Sequence, residues 1–333
     1  MRIVDAAALA TLLDDRALIE ALRDMFVSGC EVPPRHHHSI AQPGAQPGRD
    51  ATLLLMPAWE SAEAEGDALG VKVVTVYPDN AAKGLPAVMG NYMLLDGATG
   101  APLALLDGQA LTARRTAAAS ALAADYLARD DARTLAMVGT GALAPHLVRA
   151  HATVRPIERV EIWGRTAEKA RALAEALDTS LGEAVGGRTI IVQATNDLEG
   201  AVRDADVISC ATLSADPLVA GDWLAPGQHL DLVGGFTPAM RETDDTAIAR
   251  ARVYVDTRAG AMREAGDIVQ PLRNGTLSED AIAGDLFELA RGQAMGRTNP
   301  EEITLFKSVG TALEDLAAAK LAVAGLAVAG PAQ

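Results

Sequence analysis

A short turn between an apolar strand and a helix restricts this fold more than any other feature of the sequence. The strand Ala136-Met137-Val138 leads into Gly139-Thr140-Gly141-Ala142-Leu143-Ala144, a segment with the spacing G-x-G-x-x-A. In this pattern Gly139 forms a tight turn, Gly141 lets the backbone approach a pyrophosphate, and Ala144 permits close packing of helix on strand. A second strand ends about twenty residues later, at Trp163, as expected when a dinucleotide binds at the helix N-terminus. We therefore predict a Rossmann nucleotide-binding domain, with a ligand-free glycine turn as the alternative.

The order of the elements predicted around this turn indicates a second domain. Strands are predicted at residues 134–138, 159–163, 189–193, 207–211, 229–233 and 253–256, with helices between them. This alternation is typical of a doubly wound parallel sheet. Upstream, two short helices within residues 5–27 precede β-rich runs at 52–56, 70–77, 91–96 and 103–106. Turn sequences separate these runs, which predicts a mixed or antiparallel sheet. The predicted fold class is α/β, a Rossmann doubly wound parallel sheet plus a second α/β domain with a mixed sheet.

Charge and composition exclude several classes of partner. The 333 residues include 44 acidic and 29 basic side chains, for a formal net charge of −15. Nucleic acid and anionic membranes repel so acidic a protein, and we expect a small-molecule partner, no nucleic acid and no membrane. The N-terminus lacks the layout of a signal peptide, and no apolar run reaches about eighteen residues. Cys30 and Cys210 have no zinc-ligand spacing, so we expect a cytoplasmic protein without a metal site.

The residues after the second Rossmann strand bear on the choice of cofactor. Arg165 and Thr166 stand where an NAD-binding domain places the acidic residue that holds the ribose 2′-hydroxyl. An arginine at this point pairs with a 2′-phosphate, which an acid would repel. We expect NADPH, with NADH possible. The alternative is that Arg165 is a solvated residue at the start of the next helix.

Three cations upstream of the Rossmann domain are candidate ligands for a carboxylate. Lys72 interrupts an apolar strand, where an unpaired ammonium is costly, so it should have a partner or a ligand. Arg115 lies in the Ala-rich helix, and Arg35 follows two prolines. Taken singly, each of the three cations is as often a salt-bridge partner as a ligand for a substrate. Prolines, glycines and serines in residues 32–50 predict a loop or a short irregular strand there. The triplet at residues 36–38 consists of histidines, but adjacent residues on an extended chain point to opposite faces, so we expect a surface loop rather than a metal site.

Five segments spread along the chain match one known family. They are Leu55-Met56-Pro57-Ala58, Val71-Lys72-Val73-Val74-Thr75, the stretch from Asp107 to Ala118, the glycine turn, and Phe306-Lys307-Ser308-Val309-Gly310. Through them the chain resembles the ornithine cyclodeaminase/μ-crystallin family over nearly its whole length. The resemblance implies a homodimer with a substrate-binding and dimerisation domain at residues 1–113, completed by the C-terminal helix at 312–333. It also implies an NAD(P)-binding Rossmann domain at residues 114–311.

The resemblance also assigns roles to individual residues. It implies that Arg35, Lys72 and Arg115 bind the substrate carboxylate, that Lys72 and Arg115 are catalytic, and that Phe236 and Val309 line the substrate site. The residues that it implies for the cofactor are Arg115, Gly139, Thr140, Gly141, Ala142, Arg165, Thr166, Thr212, Met240 and Ser308.

Two substitutions separate this chain from the cyclodeaminases of the family. Those enzymes carry an aspartate after a glycine pair and a lysine four residues later, where this chain has Phe236 and Met240. Without that aspartate the chain lacks the acid/base that ornithine cyclodeamination needs. It resembles the ketimine-reducing members of the family instead. The expected reaction is reduction of a cyclic α-imino acid, such as Δ1-pyrroline-2-carboxylate or Δ1-piperideine-2-carboxylate, to L-proline or L-pipecolate. Lys72 or a water is the expected proton donor.

Two other functions stay open on the sequence. One is reductive amination of a 2-oxo acid, as in alanine dehydrogenase members of the family or in the formation of N-alkyl amino acids. The other is a crystallin-like protein that binds NADPH without turnover. The set formed by Arg35, Lys72 and Arg115 argues against the second alternative, because it provides for a carboxylate substrate.

Overall fold

The computed structural model describes residues 1–42, 50–61, 67–181 and 187–328. In chain order the strands are β1 (Arg2–Val4), β2 (His36–Ile40), β3 (Ala51–Trp59), β4 (Ala68–Val76), β5 (Val88–Asp96), β6 (Pro102–Asp107), β7 (Thr134–Val138), β8 (Arg159–Trp163), β9 (Ile191–Ala194), β10 (Val207–Cys210), β11 (His229–Leu232), β12 (Arg252–Val255), β13 (Ile282–Asp285) and β14 (Thr304–Lys307). The helices are α1 (Ala6–Leu12), α2 (Asp15–Ser28), α3 (Gly108–Leu127), α4 (Ala144–Val154), α5 (Ala167–Leu181), α6 (Leu198–Asp204), α7 (Asp245–Arg250), α8 (Arg258–Glu264), α9 (Gly266–Asn274), α10 (Leu286–Ala290) and α11 (Ala312–Val328).

The chain forms two compact units. Unit 1 consists of Met1–Arg115 and Thr311–Gln333, and unit 2 consists of Thr116–Gly310. Unit 2 is therefore contiguous in sequence, whereas unit 1 is made of two segments. None of the described helices is long and apolar enough to span a bilayer.

Unit 1 contains a mixed sheet of order β1-β6-β5-β4-β3-β2, in which β1 is parallel to β6 and the other pairs are antiparallel. The predicted mixed sheet is confirmed. Helix α11 packs on β3, β4 and β5 and on helices α1 and α2. Alternate residues of the strands, such as Lys72 and Tyr92, are buried. The side chains of α11 are mostly buried too, because that helix is apolar around its circumference.

At the histidine triplet the structure shows a short strand, one of the two conformations predicted for residues 32–50. Residues 36–40 form β2, an edge strand paired antiparallel with β3, while residues 43–49 of the predicted loop lie outside the described residues. The cause is tertiary, since β3 offers a free row of backbone donors and acceptors that a local pattern does not reveal. The three side chains are exposed. Within the described ranges, no group of three or more His, Cys, Asp or Glu is arranged to hold a metal.

Unit 2 contains a parallel sheet of order β13-β12-β14-β11-β10-β7-β8-β9. The predicted doubly wound parallel sheet is confirmed. Strands β13 and β14 were not predicted, and β14 inserts between β11 and β12 although it comes last in the chain. All strands are parallel, so the turns that follow them lie at one edge of the sheet.

A buried polar network holds α4 to the middle of this sheet. The Oδ2 atom of Asp231, on β11, accepts a hydrogen bond from the Ser209 hydroxyl at 2.7 Å. The same oxygen lies 3.1 Å from Nε2 of His151, on α4. All three side chains are completely buried. The network therefore joins α4 to β10 and β11 in the interior of unit 2.

Candidate active site

Lys72 has the partner that its place in an apolar strand requires. Its Nζ atom donates to Oδ1 of Asp315 at 2.9 Å, lies 2.7 Å from Oδ2 of the same carboxylate, and is 3.3 Å from the Thr112 hydroxyl. Asp315 lies in the first turn of α11 and is completely buried, and Lys72 is 2 % exposed. The C-terminal helix thus brings a counter-charge to the centre of the mixed sheet.

Arg115 binds the same acidic pair on α11. Its Nε atom donates to Oδ1 of Asp315 at 2.9 Å, and its Nη1 atom donates to Glu314. The two cations and two carboxylates sum to no net charge. None of the described residues accepts a hydrogen bond from Nη2 of Arg115, so this part of the guanidinium can bind a further anion.

Burial and neighbouring charges change the protonation of this cluster. Burial lowers the pKa of Lys72 to about 8, and Asp315 limits the fall while Arg115 and Arg35 add to it. Burial acts to raise the pKa of Asp315, but Lys72 and Arg115 outweigh it and hold this pKa below its ordinary value. The effect of Arg35 on Lys72 places the third predicted cation within electrostatic range. The structure therefore groups all three predicted carboxylate-binding residues in unit 1.

The glycine turn of unit 2 has the form that a nucleotide site needs. Gly139 has φ +123°, and a Cβ there would lie 2.6 Å from the carbonyl oxygen of Ala211. The fold itself therefore requires glycine at this position. At Gly141, by contrast, a Cβ would meet no described atom within 4 Å. Gly141 leaves open space beside the backbone, which fits the close approach of a pyrophosphate.

The helix after this turn is open at its N-terminus. Helix α4 starts at Ala144, and no described side chain caps it, with Leu143 at the N-cap and a proline in the first turn. Uncapped N–H groups and the helix dipole favour a phosphate at this point. Arg165 and Thr166 follow β8, the neighbouring strand, and both are exposed. These residues fit a dinucleotide.

The other predicted cofactor and substrate residues of unit 2 also follow parallel strands. Thr212 follows β10, Phe236 and Met240 lie in the segment after β11, and Ser308 and Val309 follow β14. Phe236 is 44 % exposed, unusual for an aromatic side chain, and Ser308 is buried. The sheet order thus brings the predicted residues of unit 2 to one edge. The predicted cofactor contact Arg115 belongs to unit 1.

The acidic partners of the buried cations were not predicted from the sequence in either unit. Asp315 and Glu314 were not assigned a role, although two acids in an otherwise Ala-rich helix are a detectable signal. In unit 2, Glu242 and Asp267 are completely buried beside Lys307, which lies in one of the matched segments. Lys307 is the last residue of a fully buried strand, and like Lys72 it is a cation that requires a partner.

We expect alanine at the two turn glycines to have different effects. Gly139→Ala should lower both thermal stability and dinucleotide affinity, since the positive φ alone costs about 1–2 kcal/mol and the Cβ meets Ala211. Gly141→Ala should keep the wild-type melting temperature and lose affinity about tenfold or more, because its methyl group fills space that the fold leaves open. Calorimetric titration with NADP+ beside thermal unfolding tests this. Wild-type affinity in Gly141→Ala would rule out nucleotide binding at this turn.

One family model matches most of the chain. The model of the ornithine cyclodeaminase/mu-crystallin family matches residues 17–325. A Δ1-pyrroline-2-carboxylate reductase of Colwellia psychrerythraea is 39% identical over 328 residues, which cover 98% of this chain and 100% of the relative.

Two solved structures have the same fold. The Δ1-pyrroline-2-carboxylate reductase of Thermococcus litoralis, in complex with NADH and L-proline, has a TM-score of 0.90 and 34% identity, and the match covers 99% of this chain and 98% of that one. An archaeal alanine dehydrogenase dimer with bound NAD has a TM-score of 0.86 and 26% identity, with 100% and 98% covered.

Proposed function

The chain belongs to the ornithine cyclodeaminase/mu-crystallin family, and from this premise we propose that it reduces a cyclic α-imino acid to the corresponding amino acid with NAD(P)H. The observation that carries the proposal is the buried pair Lys72 and Arg115, held by one carboxylate of α11. Relatives of similar length are Δ1-pyrroline-2-carboxylate reductases, and one binds L-proline and NADH.

The pair Lys72 and Arg115 binds the substrate carboxylate, with Arg35 as the third cation. Asp315 and Glu314 already balance the charge of Lys72 and Arg115, so the site does not hold two bare buried cations before substrate arrives. The carboxylate then takes the free Nη2 donor of Arg115. A fixed carboxylate orients the C=N bond beside it, which lowers the entropic part of the barrier.

Reduction of the imine adds a hydride to carbon and a proton to nitrogen. When bound, the reduced nicotinamide supplies the hydride. Lys72 supplies the proton to a neutral imine, since a pKa of about 8 leaves its ammonium populated at neutral pH yet able to donate. Phe236 gives an apolar face where the cyclodeaminases carry an acid, so the chain lacks the base for amine elimination.

A spectrophotometric assay tests this function. Purified protein is mixed with NADPH and Δ1-pyrroline-2-carboxylate, with Δ1-piperideine-2-carboxylate as the second substrate and no added amine. We expect oxidation of the cofactor and formation of proline or pipecolate. The ratio of kcat/KM for the two substrates shows which ring size the enzyme prefers. The two rings differ by one methylene, which contributes about 1–3 kcal/mol to discrimination between substrates.

Reductive amination of a 2-oxo acid is the second candidate. The archaeal alanine dehydrogenase, with a TM-score of 0.86 over the whole chain, favours it. Pyruvate with ammonia or methylamine distinguishes the two functions. Strict dependence of cofactor oxidation on added amine would favour this candidate over the cyclic imine.

NADPH is the proposed cofactor, and the preference depends on Arg165. This side chain is exposed at the carboxyl end of β8, where it can pair with a 2′-phosphate. Arg165→Ala should weaken NADPH binding about tenfold and leave NADH binding within about twofold. Arg171→Ala, which removes an exposed arginine paired with Glu168 on α5, is the control. Equal losses for NADPH and NADH would contradict the assignment.

The rate should fall at alkaline pH. Because the pKa of Lys72 is lowered to about 8, its ammonium is present below that pH and is lost above it. We therefore expect kcat to decline as pH rises through about 8. Steady-state rates over pH ~6 to ~10 with saturating substrate measure this. A rate independent of pH over the alkaline half of this range would exclude Lys72 as the donor.

We also propose a homodimer formed through the open face of the unit 1 sheet. Side chains opposite α11 include the exposed apolar residues Ile3, Val73 and Leu103. An apolar sheet face of this kind is typical of an interface, and the archaeal relative is a dimer. Sedimentation velocity on the wild type and Val73→Glu tests it: the wild type should be dimeric and the variant monomeric.

A further inference from the structure

Glu242 forms a bridge between two turns at the carboxyl edge of the unit 2 sheet. Its Oε1 atom accepts hydrogen bonds from the backbone N–H of Thr212 at 2.6 Å and from the hydroxyl of that residue at 2.9 Å. Its Oε2 atom accepts from the N–H groups of Gly234 at 2.7 Å and Gly235 at 3.3 Å. One carboxylate thus fixes the turns after β10 and β11 together.

These two turns touch one another and the glycine turn. A Cβ at Gly234 would lie 1.9 Å from the carbonyl oxygen of Thr212, so only glycine permits this approach. A Cβ at Gly139 would lie 3.3 Å from the side chain of Thr212. A shift of Thr212 therefore acts directly on the turn where the dinucleotide is proposed to bind.

A buried cation and a second acid hold Glu242 in place. Lys307, the last residue of β14, has its Nζ atom 3.8 Å from Glu242 and 3.3 Å from Asp267. Asp267 accepts hydrogen bonds from the N–H groups of Glu242 at 2.8 Å and Thr243 at 3.1 Å. All three side chains are completely buried. Because one buried cation faces two buried acids, the ionised form of Glu242 is destabilised by burial and by the charge of Asp267.

We propose that Glu242 is a positioning residue whose ionised carboxylate joins the turns after β10 and β11 and so sets the affinity of unit 2 for its dinucleotide. The affinity part rests on the proposed function. An ionised carboxylate accepts all four hydrogen bonds, whereas a protonated one carries a donor that opposes the backbone N–H groups. Protonation therefore loosens both turns.

The electrostatic surroundings place this protonation near neutral pH. Burial raises the pKa of Glu242 to about 7; Lys307 opposes the rise and Asp267 adds to it. The Cys210 thiol, on β10, also faces this group, and burial raises its pKa well above the usual value, so it stays neutral. Glu242 is therefore ionised above about pH 7, and below this pH its protonation weakens the hydrogen bonds that join the two turns. The dinucleotide should bind more weakly as pH falls.

Glu242→Gln tests the proposal with two measurements on the full chain. Without nucleotide, hydrogen exchange at the amides of Thr212, Gly234 and Gly235 should be faster than in the wild type. In calorimetric titrations with NADP+, the wild-type Kd should rise as pH falls from ~8 to ~6. The variant should bind about tenfold more weakly at pH ~8, with a Kd independent of pH.

Asp231→Asn is the matched control, since Asp231 is an equally buried carboxylate of the same unit whose side chain is held by Ser209 and His151 rather than by backbone N–H groups of the two turns. It should lower the melting temperature and keep the wild-type Kd and its pH dependence. A Glu242→Gln variant with the wild-type Kd and pH profile would overturn the proposal, as would an equal loss of affinity in Asp231→Asn.

Two further outcomes are decisive. If Glu242→Gln does not fold, a wild-type Kd that is constant from pH ~8 to ~6 overturns the role of ionisation, and a rise supports it. If the wild type binds no dinucleotide, the proposed function fails together with the affinity claim. The protection factors of the amides of Thr212, Gly234 and Gly235 in the wild type at these two pH values then decide whether Glu242 joins the turns. Lower protection at pH ~6 than at pH ~8 supports this role, and equal protection overturns it.

Discussion

Lys72→Met should reduce kcat at least about a hundredfold and leave the Kd for NADP+ within about twofold of the wild type. The substitution removes the proposed proton donor and one of the three cations for the substrate carboxylate. The nucleotide turn belongs to unit 2, whereas Lys72 belongs to unit 1. Asp315 keeps its hydrogen bond from Nε of Arg115, so the carboxylate is not left without a partner. Steady-state kinetics and calorimetric titration measure the two effects.

Two further variants separate the charge of Lys72 from its proton. Lys72→Arg keeps a cation but cannot release a proton near neutral pH, so it should preserve KM better than kcat. Lys320→Met removes a half-exposed lysine of the same unit, paired with Glu60, and should be nearly neutral for both constants. Turnover near the wild-type level in Lys72→Met would refute the catalytic role.

Asp315→Asn should have the second largest effect, on stability and on the pH profile together. Removing one partner of a buried ion pair costs about 3–5 kcal/mol, because the remaining charges stay buried without compensation. Here Lys72 and Arg115 both lose their shared carboxylate. Asp315 also acts to raise the pKa of Lys72, so its loss lowers that pKa below about 8. The decline of kcat should move to lower pH, and kcat/KM at neutral pH should fall about tenfold or more.

Chemical denaturation and a pH–rate profile measure the effects of Asp315→Asn. Asp24→Asn, which changes an exposed aspartate of α2, controls for the loss of one negative charge in unit 1. It should leave both measurements unchanged. An unshifted pH profile in Asp315→Asn would show that this carboxylate does not control Lys72.

Most of the fold was predictable where the local pattern repeats. Strands β7 and β8 were predicted with their correct bounds, because buried apolar runs alternate there with helices. Strand β14 was missed, since its four residues include two polar ones, Thr304 and Lys307, and no periodicity marks it. Its place between β11 and β12 depends on pairing with strands that lie well before it in the sequence. At β2 the sequence left a loop and a short strand open, because the partner β3 determines the conformation of this segment.

The candidate site was predictable in its cations and not in its acids. Lys72 stands out because an ammonium within an apolar strand needs a counter-charge. The counter-charge itself lies far along the chain, in the last helix, and spacing gives no link between Lys72 and Asp315. Glu242 stands close to Met240 in the sequence, but its four hydrogen bonds come from two turns that follow different strands. Contacts of this kind follow from topology, not from local sequence.

The division of unit 1 into two segments has a consequence during biosynthesis. Residues 116–310 emerge from the ribosome as one continuous stretch, and domains generally fold as they emerge. The sheet face that carries Lys72 cannot be covered until residues 311–328 have been translated, because α11 supplies both the covering helix and Asp315. The mixed sheet of unit 1 therefore stays incomplete, and the ammonium of Lys72 lacks its Asp315 partner, until α11 has been translated.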